Sequence, residues 1–296
     1  MWGRAKGFAL LASTTVLLGP AAAQATVTIG SDLGRAPTLA SGCAGSCTMA
    51  TSSLPSADLA PGGPISPVNG TVVMWRVRVG SSTSQTNLRV ITVPSTSGVP
   101  TGGGTSSTVT PSINTTSTYS AQLPIGAGDS VGIDCCASSA SQILVPTPMA
   151  VSDRWAPRLV DGAPPRPPDS MLPDEIPVNA VIEPTSAFSI SQVKSGKGGK
   201  VSVTATYPNP GTLLGGDARD KSLAAASGGK KNQLYLKSAG TALAVPGQTA
   251  ILEFKPTKRA RTLLHERRKL KAKVKVVFTP PGGTSSSQTL KVKLKR

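Results

Sequence analysis

Apolar and polar residues alternate in short runs along the first half of the chain. Val73, Trp75, Val77 and Val79 would share one face of a strand, with Arg76 and Arg78 on the other. Residues 88–93, Leu-Arg-Val-Ile-Thr-Val, predict a second strand. Residues 123–129 read as a strand end and a tight turn, and 130–134 as a strand with Val131 and Ile133 inward. The stretch 99–118 is rich in Gly, Ser and Thr and predicts a long connection or weak edge strands. Prolines crowd 156–177, yet Ile176, Val178, Ala180 and Ile182 alternate at its end and just beyond it. The reading is a long surface loop whose return strand, 175–183, completes an antiparallel sandwich or jelly roll. A boundary then falls near Pro184-Thr185.

The second half repeats the strand pattern with different chemistry. Strands are predicted at 188–191, 200–206, 234–237 and 250–254, with loop at 208–232. Residues 257–268 predict a helix: Thr257 is a suitable N-cap, and Ala260, Leu263 and Leu264 share a face. Residues 270–279 and 289–295 predict a final strand pair across Pro280-Pro281-Gly282-Gly283, each alternating Lys with apolar residues. Strand, helix, strand, turn, strand suggests an immunoglobulin-like sandwich with a short crossover helix. The expected fold is therefore all-β. A jelly-roll-like sandwich spans 26–184, and a basic immunoglobulin-like sandwich with one short helix spans 185–296.

The first 25 residues do not belong to either sandwich. Arg4 and Lys6 precede an apolar run at 8–18, and Ala23-Gln24-Ala25 fits a small-x-small cleavage site. This predicts a secretory signal peptide with Thr26 as the mature N-terminus. No later run approaches the ~18–20 apolar residues that span a membrane. Export to an oxidising compartment makes disulfides the expectation for Cys43, Cys47, Cys135 and Cys136. The favoured arrangement joins Cys43 and Cys47 to Cys135 and Cys136 in one of two crossed orders. A local Cys43–Cys47 bridge with a vicinal 135–136 bridge is the alternative.

Charge separates the halves. Residues 185–296 hold 22 Lys and Arg against 4 Asp and Glu, a net +18, whereas 26–184 hold 7 against 10, a net −3. Solvating a sheet face explains where the lysines stand but not their sign, since Glu or Thr would solvate it equally well. A module so charged repels itself unless a partner neutralises it. An anionic cell-envelope polymer or acidic polysaccharide is the expected partner. The densest patch in the sequence, and the predicted binding site, is Lys258, Arg259, Arg261, Arg267, Arg268 and Lys269.

Catalytic patterns are scarce. His265 is the only histidine and sits among arginines. No serine lies in a Gly-x-Ser-x-Gly elbow, and Gly102-Gly103-Gly104 lacks the Lys of a phosphate loop. No cofactor is expected. Asp129, Asp134, Asp153 and Glu183 supply the carboxylates for an alternative reading as a polysaccharide-active hydrolase. Tyr235, Phe254 and Phe278 fall in strands as core rather than as base-stacking platforms, so no sequence-specific nucleic-acid binding is expected.

Several motifs carry a resemblance. They are Gly42-Cys43 with Cys47-Thr48, Pro67-Val68-Asn69-Gly70 before Trp75-Arg76-Val77, Leu88-Arg89-Val90, the turn at 124–129, and Ala180-Val181-Ile182-Glu183-Pro184. Together they resemble uncharacterised secreted two-domain β-rich proteins of GC-rich actinobacteria with a C-terminal Lys/Arg-rich immunoglobulin-like module. The resemblance implies export and the two-sandwich architecture. Charge and the lack of catalytic patterns add the expectation of a non-enzymatic, envelope-associated protein whose first domain binds a glycan or a protein.

Overall fold

The computed structural model describes residues 26–43, 45–135, 141–220, 223 and 234–296. The expected signal segment lies outside these residues. In the first half the strands are β1 (Val27–Gly30), β2 (Leu39–Ala40), β3 (Cys47–Ser53), β4 (Gly70–Arg78), β5 (Thr86–Thr92), β6 (Thr101–Thr105), β7 (Thr116–Ile125), β8 (Ser130–Cys135), β9 (Gln142–Pro146), β10 (Val151–Trp155), β11 (Ser170–Leu172), β12 (Asp174–Glu175) and β13 (Val178–Pro184). A four-stranded sheet runs β1-β13-β4-β7, and a six-stranded one runs β11-β10-β3-β8-β5-β6. A third, short sheet is β12-β9-β2. The two larger sheets close over one core that includes Ile29, Val72, Trp75, Leu88, Val90, Ile133, Ala180 and Ile182. The all-β expectation holds.

Alternation positions most of these side chains, and a bulge corrects one of them. In β4 the inward residues are Val72, Trp75 and Val77 rather than Val73, Trp75 and Val77. The register against both neighbours shifts between Val72 and Met74, so Val73 is the extra residue and the face flips there. Beyond the prolines, β13 inserts between β1 and β4, with Val178 opposite Val77 and Ile182 opposite Val27.

The cysteines depart from the favoured arrangement. Cys43 is bonded to Cys47, with Cα atoms 6.0 Å apart, instead of crossing to β8. Gly42 and Gly45, at φ of 63° and 103°, let this short segment turn back on itself, so Cys43 meets Cys47 locally. Cys135 stands directly opposite Cys47 in the β3–β8 register. Cys136 lies outside the described residues.

The second half contains β14 (Ser189–Ser195), β15 (Val201–Thr206), β16 (Gly211–Asp217), β17 (Ala239–Leu243), β18 (Thr249–Phe254), α1 (Lys258–Arg267), β19 (Lys269–Thr279) and β20 (Ser286–Lys295). Sheets β14-β15-β18 and β17-β16-β19-β20 sandwich a second core. Its centre stacks Phe188 on Tyr207 and sets Tyr207 against Phe278, with ring centroids 5.3 and 5.1 Å apart. Burial pushes the Tyr207 hydroxyl up to about 12.

Two expectations fail here. Residues 211–217 lie in the predicted loop yet form the inner strand β16, because their glycines serve packing rather than turning. A Cβ on Gly215 would sit 2.8 Å from the Phe254 ring. Conversely, 234–237 is no strand. Leu236 makes only an isolated bridge to Pro256, and the pairing strand begins at Ala239. The helix starts as expected, with the Thr257 hydroxyl accepting from Ala260 N and Ala260 and Leu264 buried.

The halves are clasped by two asparagines. Asn69 N donates to Asn209 Oδ1 at 2.6 Å, and Asn69 Nδ2 donates to Pro208 O at 2.6 Å. In return Asn209 Nδ2 donates to the carbonyls of Asn69 and Thr185 at 2.9 and 2.7 Å. Asn209 is fully buried. Asn209→Ala removes an acceptor and a donor facing three main-chain groups. A buried group left without its partner costs about 1–3 kcal/mol. The expected result is a lower denaturant midpoint, with the single unfolding transition separating into two. An unchanged, single transition would show that the clasp couples nothing.

Candidate anion-binding surface

The β19–β20 hairpin buries Ala272, Val274, Val276 and Phe278 from one strand, and Val292 and Leu294 from the other. The pleat therefore sends every intervening residue outward. The lysines among the outward positions are Lys269, Lys271, Lys273 and Lys275 on β19, and Lys291, Lys293 and Lys295 on β20. Register makes this more than a basic face. Lys269 stands opposite Lys295, Lys271 opposite Lys293, and Lys273 opposite Lys291.

Three successive rungs thus pair like charges directly across the sheet, where such pairs destabilise. No Asp or Glu occurs between Arg267 and Arg296 to offset them. Lysine on an edge strand discourages sheet-to-sheet aggregation, and β20 is an edge. That accounts for three of the lysines. It does not account for the lysines facing them from β19, where Glu would keep the face solvated and turn repulsion into attraction.

An open groove of about 640 Å³ adjoins the ladder. Ala272 and Val292 line it together with Lys271, Lys273, Lys291, Lys293, Arg219 and Tyr235. Asp217, which holds Arg219, stands opposite buried Val274, so Arg219 is rooted on the inward side of the sheet. Arg219 is held as a fork: its Nε and Nη2 donate to Asp217 Oδ1 and Oδ2 at 2.8 and 2.6 Å. Its guanidinium carbon lies 4.1 Å from the Tyr235 ring centre. Asp217 is buried and also accepts from Tyr235 N at 2.7 Å. Burial pushes that carboxyl up, but the hydrogen bonds from Arg219 and Tyr235 outweigh it and hold Asp217 below its ordinary value. Sequence reading missed Arg219 because it follows a strand mistaken for loop. The lysines were visible in the sequence; their opposition was not.

The helix residues predicted to bind polymer are arranged differently. Lys258, Arg259, Arg261, Arg267, Arg268 and Lys269 are all exposed. At about 3.6 residues per turn, Lys258, Arg259, Arg261 and Arg267 point to widely separated sides of α1. They surround the helix instead of converging. Only Lys269 also belongs to the ladder.

The four candidate hydrolytic carboxylates are dispersed. Asp134 on β8 is buried against Arg89, whose Nη2 donates to its Oδ2 at 2.5 Å, and it accepts from the Thr48 hydroxyl at 2.6 Å. Asp129 closes the turn after β7 by accepting from Gly126 N at 2.7 Å. Asp153 is two strands from Asp134 across β3, and Glu183 lies in the other large sheet. Burial pushes the carboxyls of Asp129 and Asp153 up. His265 is exposed on the helix. Among the described residues no cluster of three or more His, Cys, Asp or Glu could hold a metal ion.

Glu175 is a further buried carboxyl that the sequence did not single out. Ser31 Oγ donates to its Oε1, and Thr147 Oγ1 donates to its Oε2 at 3.2 Å. Burial raises it above the usual 4.5, with its two hydrogen bonds opposing and the charges of Asp58 and Asp32 adding to the rise. A group raised on folding favours the fold while protonated. Its contribution is complete below 4.5 and is lost as pH climbs through the folded value. Thermal stability is therefore expected to fall over that window, and Glu175→Gln should flatten the fall. Parallel pH–stability curves for the two proteins would refute the assignment.

Compared with known proteins, the chain matches no family model and no curated protein.

Proposed function

We propose that this is a secreted, non-enzymatic protein held at the cell envelope by its second sandwich, which binds an anionic wall polymer or acidic polysaccharide. The observation that carries this reading is the run of opposed lysine pairs at 269/295, 271/293 and 273/291. The arrangement lowers the stability of the free hairpin and gains from a polyanion laid over it. Affinity comes largely from counterion release, so it falls steeply with salt. Export rests on the N-terminal signal pattern, and the immunoglobulin-like character of the second sandwich on its element order. The resemblance to secreted modules with basic C-termini points the same way.

A binding role also agrees with the state of the carboxylates. Asp134 is committed to Arg89 and Asp129 to its turn, and the four candidates do not share one sheet. The first sandwich takes the second binding role, toward a glycan or protein. A cavity of about 120 Å³ lined by Ile65, Val93, Trp155 and Asp153 is its candidate contact point.

The test is a salt titration of whole protein retained on isolated cell wall. Lys271, Lys273, Lys291 and Lys293 changed together to Gln should release at much lower salt than the parent. Changing Arg259, Arg261, Arg267 and Arg268 to Gln should shift release less. Retention indifferent to salt, or lost equally in both variants, overturns the assignment to the ladder.

A further inference from the structure

Resting on the reading of the first sandwich's cavity as a contact point, we infer that this cavity takes the side chain of a lysine presented by a partner protein or peptide, with the ammonium at Asp153 and the stem on Ile65 and Val93. The register gathers the walls on one face. Asp153 stands opposite Ala50, Ala50 opposite Gly132, and Ser130 opposite Ile91. Residues directly opposed across a strand pair project to the same side. The alternate positions Met49, Ile133 and Val90 are in the main core. Asp153, Ala50, Ser130 and Ile91 therefore share the outward face of the six-stranded sheet. Trp155, two residues along from Asp153, packs there with Ala50 and Ile91. Ile65 is held over the same face by a main-chain bridge to Ser130.

Chemistry at the walls selects an ammonium. Asp153 Oδ1 is buried and meets no donor, and among the described residues no cation pairs with this carboxylate. Burial pushes the carboxyl up, against a weaker opposing hydrogen bond from Ser52. The group turns about a soft torsion, so either oxygen can face the cavity. An ammonium has three donors and no acceptor. Asp153 and the hydroxyls of Ser52 and Ser130, all in the cavity wall, supply three acceptors. The mouth is apolar, with Ile65 52% and Val93 39% exposed, and suits a methylene stem. Size points the same way. The cavity of about 120 Å³ is the volume of about four waters, room for a stem end and a compact ammonium but not for a pyranose with its hydroxyls. Trp155 is fully buried, and its Nε1 donates to Arg166 O at 3.2 Å, so it offers a sugar no open ring face. The net −3 of residues 26–184 also favours a cationic partner.

The experiment uses the whole protein and four probes: a capped Gly-Lys-Gly peptide, the same peptide acetylated on the lysine Nζ, n-butylammonium and methyl glucoside. Binding is followed by amide NMR shifts at Gly128, Ser130 and Asp153. The lysine peptide and n-butylammonium are expected to saturate these shifts. Acetylation should weaken the peptide about tenfold, the scale of one charge-assisted hydrogen bond, and Asp153→Asn should weaken the unmodified peptide by a similar factor. Ile65→Ser changes an exposed side chain and keeps the main-chain bridge, so it tests the stem even where Asp153→Asn fails to fold; it should weaken the peptide several-fold. Salt-dependent retention on cell wall should be unchanged in both variants, since it belongs to the second sandwich. Equal binding of the acetylated peptide, or variants that bind the lysine peptide as the parent does, overturns the ammonium assignment. Saturation by methyl glucoside and not by the lysine peptide overturns the ligand while leaving the cavity as a contact point. No shift with any probe overturns both.

Discussion

Lys271→Glu combined with Lys273→Glu is expected to make the protein more stable and unable to hold a polyanion. The register sets Lys271 against Lys293 and Lys273 against Lys291, so the double change turns two repelling rungs into two attracting ones. Opposite charges across a strand pair stabilise and like charges destabilise. The substitutions leave the buried side of β19 untouched, since Ala272 and Val274 keep their inward places. The thermal midpoint should rise, and more so at low ionic strength, where exposed charges reach further than the ~8 Å of physiological salt. Retention on anionic polymer should fall by orders of magnitude. Each variant position removes a favourable contact and adds a repulsive one, and every lost contact takes about 0.9 from the salt slope. A variant that is stabilised and still retained would mean that the lysines are a solubility device. One that is destabilised would mean that the rungs do not repel in the free protein. Gain and loss must come from the same two residues, which ordinary surface lysines would not produce.

Arg89→Met should be the most damaging single change in the first sandwich, costing about 3–5 kcal/mol, the scale for stranding one member of a buried ion pair. Arg89 lies on β5 with its side chain 3% exposed, beside Asp134 at 1%. Its Nε donates to Asp134 Oδ1 at 3.2 Å and its Nη2 to Oδ2 at 2.5 Å, while Nη1 donates to Asp161 at the protein surface. The pair also organises its surroundings. The Thr48 hydroxyl donates to Asp134, and it accepts from Leu159 N at 2.9 Å, which ties the 156–169 loop to β3. Arg89→Lys should rescue little, because an ammonium cannot span Asp134 and Asp161 in the same fork. Arg89→Met with Asp134→Leu should recover much of the loss, since no buried charge then lacks a partner. Denaturant unfolding of the four proteins measures this. Equal stability of the single and double variants would show that the ion pair is incidental to the fold.

Residue order by itself determined a good deal. Alternation located β19 and β20, because a strand with one buried face must place apolar residues at every second position, and short runs rich in apolar residues located β5, β8 and β13, which are buried on both faces. Thr257 and the spacing of Ala260, Leu263 and Leu264 located the helix, because an N-cap and a 3.6-residue period are local properties. The asymmetry of charge was a matter of counting, and it directed attention to the second half.

Tertiary structure decided what depends on which residues meet. The Val73 bulge, the strand status of 211–217 and the local Cys43–Cys47 bond could not be read from periodicity. Glycine in a strand and glycine in a turn are identical in sequence, and a cysteine's partner is whichever one the turns bring near. The sequence-dense basic helix spreads its charges around an axis, whereas the β19–β20 register lines up lysines 18 to 26 residues apart in the chain. A run of charge along a chain is local, but the convergence of charge on a ligand is a property of pairing.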